Sequence, residues 1–246
     1  MSQDAAAMAV PAGQFAGFPK QAIKFYKDIA ANNDQQWFEA HRQDYLDYVV
    51  APAQAFVEEM GARLKGISPG INANPDPNGR GSIKKIHLDR RFNPSRAPHR
   101  TWLGIMFWEG PLKAKKDNTA YYLRLSPSEL SLAVGIKQFQ RPQLKAFRDS
   151  VVDKGHGAAL LKAIKTVGGS GDYQLGGSHY KKQPQGYESE GEKAGLLLYN
   201  GLYYWTESKG LPKEVYSAEL LDYCFERFED MSPVHQWLAG MLERTA

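Results

Sequence analysis

The sequence predicts an α+β fold in which a central, mostly antiparallel sheet of about four to six strands is flanked by N-terminal and C-terminal helices. Three observations predict it. Apolar residues recur at helical spacing up to Leu64, change to short β-branched and aromatic runs between Ile83 and Lys137, and return to helical spacing from Arg141. The middle runs are joined by short turn-forming stretches, which favours an antiparallel meander. No linker-like stretch interrupts the 246 residues, so 18–246 reads as one domain preceded by a flexible Ala- and Gly-rich tail over 1–17.

The first helix opens at Phe18-Pro19, where proline's missing N–H costs nothing, and buries Ile23, Phe25, Tyr26 and Ile29 before Asn32-Asn33 ends it. Asp34 can cap a longer helix that carries Trp37, Phe38, Tyr45, Val49, Phe56 and Leu64 along one stripe and is kinked or divided at Pro52. Gly66 to Gly81 is rich in Pro, Gly, Asn and Ser and reads as a loop. Strands are expected over Ile83–Leu88, Thr101–Glu109, Thr119–Ser126 and Leu130–Lys137. Arg141-Pro142 starts a helix, Ala158–Val167 forms another that Gly168-Gly169 ends, and a loop follows through Gly177 to Gly186. Ser189 and Glu192 have the spacing of a capping box for a helix ending at Asn200-Gly201. Leu202–Glu207 reads as one more strand, and helices from Pro212 and from Ser232-Pro233 close the chain.

Composition narrows the function classes. With 42% hydrophobic and 24% charged residues the chain can bury a sizeable core. Its apolar stretches are far shorter than the roughly 20 residues that cross a bilayer, and its start lacks the basic and apolar regions of a signal peptide. The single cysteine, Cys224, excludes an internal disulfide framework and a cysteine-based zinc site, and its apolar neighbours at helical spacing make it a buried thiol. These features point to the cytoplasm and away from a membrane. The six His are scattered and only His87 has ligand spacing to a carboxylate, Asp89, so no metal is expected. No motif names a cofactor.

Charge is unevenly placed. From Arg80 to Lys116 there are ten Lys and Arg against two acids, a net +8, which leaves −4 for the rest of a chain whose formal charge is +4. A basic segment inside an acidic remainder calls for an anionic partner. Within it, Arg91, Arg96 and Arg100 stand in one strand-to-strand connection, and guanidinium groups match phosphate or carboxylate oxygens two at a time. On an extended backbone His87, Asp89 and Arg91 share a face, where they can grip an anion or exchange a proton with it. The same grouping also serves as an Asp–Arg network that pins a loop.

Several elements occur together in order: Asn32-Asn33 and Trp37-Phe38, then Arg42 and Tyr45, then Asp89-Arg90-Arg91-Phe92, Arg96-Ala97-Pro98-His99-Arg100, and Pro184-Gln185-Gly186-Tyr187 after Lys181-Lys182. From about Phe18 to Leu242 this arrangement resembles an uncharacterised family widespread in bacteria, domain of unknown function 2461. Leu88 stands where that pattern has Arg and His99 where it has Tyr, while Arg96 and Arg100 replace Lys and keep the charge. The resemblance implies no agreed activity and no cofactor.

The leading expectation is therefore a site for a phosphorylated or otherwise anionic small molecule. Arg42, Arg91, Arg96, Arg100 and Lys182 would be its anion contacts, Asp89 an orienting group or base, and His99 a proton carrier. Asp89 and His99 are the only catalytic candidates, and whether turnover follows binding is left open. A second expectation is nucleic-acid binding, with basic residues interleaved among Trp102, Phe107, Trp108, Tyr121 and Tyr122 on a stacking sheet. A third is a structural or protein-interaction module without a small ligand.

Overall fold

The computed structural model describes residues 14–111, 115 and 117–244. Most of the expected N-terminal tail, residues 1–13, lies outside them. Packing nevertheless begins before Phe18: Phe15 is 1% exposed and its ring meets Phe18 and Phe56 edge-on.

Helix α1 (Lys20–Ala31) starts after Pro19 and ends at Asn32, as its sequence predicts. Asp34 caps α2 (Gln35–Ala40) by accepting from the Trp37 N–H at 2.8 Å. The expected second helix is broken at His41 and resumes as α3 (Arg42–Tyr45), a π-helical turn at Leu46–Val50, and α4 (Ala51–Leu64). Pro52 explains the π turn. It has no N–H to give the preceding turn, and the ladder slips there, so that Ala51 donates to Leu46 five residues back.

Six antiparallel strands form the sheet: β1 (Ile71–Asn72), β2 (Leu103–Glu109), β3 (Ala120–Leu125), β4 (Leu130–Ile136), β5 (Gln174–Ser178) and β6 (Tyr199–Glu207). Their spatial order is β1-β2-β3-β4-β6-β5. The segment expected as a strand over Ile83–Leu88 adds only backbone bonds beside β2, from Lys84 N–H to Gly104 and from Met106 N–H to Ser82, both 2.9 Å. Strand β5, expected as loop, carries two glycines and no alternating pattern. Its pairing with β6 makes it a strand.

Alternation assigns the two faces. Ile105, Phe107, Tyr121, Leu123, Leu132, Val134 and Tyr204 point into the core, where Tyr121 meets Phe228 of α8 (Leu220–Glu243). Helices α4 and α8 pack on that face, with α5 (Arg141–Val152) and α6 (Lys154–Ser170) outside them. Asp153 caps α6 by accepting from the His156 N–H at 2.7 Å, and the helix runs through Gly168-Gly169 instead of stopping there. Short α7 (Gly191–Leu196) has Glu190 at its start and no side-chain cap, so Ser189 and Glu192 form no capping box.

The last helix departs most from expectation. Pro212 precedes only a 3-10 turn, Lys213–Tyr216, and Pro233 lies inside one 24-residue α8. An internal proline costs about 3 kcal/mol. Leu220, Cys224, Phe228, Met231, Val234, Leu238 and Met241 are all buried on both sides of it, and each buried apolar side chain returns about 1.5–3 kcal/mol. Burial wins. Among the described residues no helix is long and apolar enough to cross a membrane.

Candidate functional site

The opposite face of the sheet carries a concavity of about 710 Å³. Among the described residues that line it, none is helical. Strand β4 makes the floor. Its core-facing residues are large (Leu130, Leu132, Val134, Ile136), whereas Ser131, Ala133 and Gly135 face outward. A strand whose outer residues are all small, flanked by large side chains of its neighbours, leaves a groove. One wall is Tyr122 and Arg124 of β3 and the other is Tyr203, Trp205 and Glu207 of β6.

Cations surround this groove. The Lys84 ammonium lies 5.0 Å from the centre of the Tyr122 ring, and the guanidinium groups of Arg100 and Arg124 lie 4.9 and 5.4 Å from that of Trp102. Gly104 makes room for this stack: a Cβ there would meet Trp102 at 2.6 Å and the Tyr122 hydroxyl at 2.9 Å. Burial lowers the Lys84 pKa, and Arg100, Lys115 and Lys137 nearby lower it further. Burial pushes the Tyr122 hydroxyl up to about 12, so it stays a neutral donor. The rim carboxylates are engaged: Glu207 accepts from Ser131 at 3.1 Å and Glu129 stands 3.6 Å from Arg124.

Of the expected anion contacts and catalytic candidates, only Arg100 reaches this face, through its contact with the Trp102 ring. The segment 86–100 forms an arm closed by the His87–His99 pair and by bonds from Leu88 N–H to Pro98 and from Arg100 N–H to Ile86, each 2.8 Å. Every residue from Asp89 to Ala97 is exposed. Asp89 and Arg91 bind each other at 2.6 Å. The Arg91 side chain, then its backbone N–H, hold the Asp89 carboxyl down at about 2. Both Asp89 oxygens accept from Arg91, which pins the loop.

His99 sits at the root of the arm, 1% exposed, stacked on Phe38 at 4.6 Å and 5.0 Å from His87. Neither ring nitrogen has a hydrogen-bond partner among the described residues. Burial, then His87, lowers its pKa. The Asn33 carboxamide fixes this root, donating to the His99 carbonyl at 2.9 Å and accepting from its N–H at 3.0 Å. Arg42 lines a separate cavity of about 250 Å³ with Phe38, Tyr45, Lys85 and His87. Lys182 is exposed in the connection leaving β5, the edge strand farthest from the arm.

Trp102 and Tyr122 of the expected stacking sheet do lie on this face, but Phe107 and Tyr121 point into the core. Trp108 is fully buried, with the Lys115 ammonium 5.4 Å from its ring centre. Lys84 counts in the sequence only as part of the basic segment 80–116, and Arg124, Lys137, Tyr203 and Trp205 are not singled out there. The signal for them was the Leu-Ser-Leu-Ala-Val-Gly-Ile alternation of 130–136.

A second constellation resembles catalytic machinery. His235 Nε2 donates to Glu109 at 2.7 Å and its Nδ1 accepts from the Thr119 hydroxyl at 3.0 Å. Hydroxyl, imidazole and carboxylate are in series, as in acyl-transfer triads. However, Thr119 and His235 are both 0% exposed, so no substrate reaches the hydroxyl and the series ties α8 to β2 and β3.

Among the described residues no cluster of His, Cys, Asp and Glu could hold a metal ion. No curated protein matches the sequence. The family model described as conserved hypothetical protein (DUF2461) matches residues 21–237, most of the chain, and the protein therefore belongs to that family.

Proposed function

We propose that the protein binds a phosphorylated ligand carrying a flat ring, on the open face of the sheet. The observation that carries this reading is the groove over Ser131, Ala133 and Gly135, which brings half-buried Tyr122, Tyr203 and Trp205 together with Lys84, Arg124 and Lys137. Rings offer flat apolar area at little entropic cost. Lys84, partly desolvated among like charges, gains more from an incoming anion than a solvated lysine does. The volume suits a ligand larger than phosphate alone. The reading is one of binding, since Glu207 and Glu129 are occupied by Ser131 and Arg124. We place this activity in the cytoplasm, which the single buried cysteine supports.

Thermal-shift measurements with pyrophosphate and nucleoside phosphates test the reading. A ligand at a hundred times its dissociation constant adds about 2.7 kcal/mol, a rise of roughly 5–10 °C for a domain of this size. Lys84→Gln and Trp205→Ala should each remove most of that rise. A rise that persists in both variants, or none with any anion, defeats the reading.

A further inference from the structure

The cations do not stop at the groove. Lys84, Lys137 and Trp102 all line it, the Arg100 guanidinium stands 4.9 Å from the centre of the Trp102 ring, and Arg96 lies four residues away on the exposed arm. Arg100 and Lys137 both lower the Lys84 pKa, and Arg96 lowers that of Arg100. Beyond Arg96 the tip presents Arg90, Arg91 and Phe92, the last 93% exposed with the Arg91 guanidinium 5.8 Å from its ring centre. The one carboxylate at the tip, Asp89, is held by Arg91. A positive path thus runs from the far end of β4, across the groove and onto the arm, with rings at intervals: Tyr203, Trp205, Tyr122, Trp102 and Phe92.

A single phosphorylated metabolite fills the groove but leaves the arm uncompensated. The complement of a path of this length is a chain with a repeating negative charge and repeating flat rings. We infer that the ligand is single-stranded nucleic acid, laid along β4 and continued onto the 86–100 arm. This rests on the proposed use of the sheet face and specifies its occupant. Single strands expose the base faces that half-buried rings can stack on, whereas a duplex keeps them inside. Phosphates along the strand would meet Lys137, Lys84, Arg100 and Arg96 in turn. Ring stacking and phosphate contacts carry little sequence information, so binding should tolerate sequence.

Fluorescence anisotropy tests it, using a labelled oligothymidylate of about 12 nucleotides, thymidine monophosphate as competitor, and a duplex of equal length. The oligonucleotide should bind far more tightly than the monophosphate and more tightly than the duplex. With about four phosphate contacts its affinity should fall about 50-fold between 50 and 200 mM salt. Arg96→Gln, an exposed change, should lower the log–log salt slope by about 0.7 and leave monophosphate binding unchanged, whereas Trp205→Ala should weaken both ligands. Equal affinity for monophosphate and oligonucleotide, equal affinity for duplex, or indifference to Arg96→Gln overturns the single-strand inference but leaves the ring-and-phosphate site standing. No binding of either ligand removes both.

Discussion

The Asn33 carboxamide exchanges two hydrogen bonds with the His99 peptide group across 66 residues of chain. A motif that reads locally as the end of a helix is therefore also the anchor of a distant arm. His235 shows the same economy of single side chains, and it makes stability depend on pH. Burial lowers its pKa from 6.5, so below that pH the unfolded chain takes up a proton that the folded chain refuses. Stability must then rise with pH across that range and fall on acidification. Glu109, held down chiefly by its bond from His235, adds a loss of the same sign once pH drops below 4.5. In His235→Gln, urea melts should show a cost of about 1–3 kcal/mol at neutral pH. They should also show a shallower loss of stability between pH 7 and 5, with His99 supplying part of the remaining slope. An unchanged pH profile would show that the fold leaves the His235 pKa where the unfolded chain has it, and a steeper loss would show that the fold raises it.

At the scale of elements, β4 separates its two jobs by residue size: large side chains hold the core and small ones shape the groove. Gly135 has a further constraint. Its φ is +130°, and a Cβ there would lie 2.3 Å from the Leu202 carbonyl oxygen and 2.7 Å from the Tyr203 Cα. These are backbone atoms that cannot swing aside. Gly135→Ala should therefore lower stability by about 2–4 kcal/mol, combining left-handed strain and overpacking, as measured by denaturant midpoint. Ala133→Gly, in the same floor but without that crowding, should cost no more than about 1 kcal/mol. Equal costs would show that β4 can move away from β6.

At the scale of the molecule, one core lies between α4, α8 and the inner sheet face, and every layer depends on it. Phe228 is fully buried against Tyr121. Phe228→Ala should cost about 3–5 kcal/mol, and near- and far-ultraviolet circular dichroism should lose signal together on heating; separate transitions would reveal two cooperative units. The central strands and α1 were legible in the sequence because their periodicity is local. The continuity of α8 through Pro233 was not, since burial on both sides of the proline decides it and local punctuation argues the other way. β5 was hidden because pairing, not composition, makes it a strand. For the site, Arg100 was legible as one of a cluster of arginines, but the cluster divides between groove and arm. Lys84 and Trp205, 121 positions apart in the chain, meet only through the strand order.

Cys224 is the chain's single thiol, lies inside α8 and is fully buried, and burial pushes its pKa far above the ordinary thiol range. Native protein should consequently ignore maleimides and iodoacetamide. The molecule thus accepts a reporter without prior removal of its own sulfur: a cysteine placed at Ser131 or Phe92 would take a dye or spin label alone, so groove and arm can be watched separately in the otherwise unaltered protein.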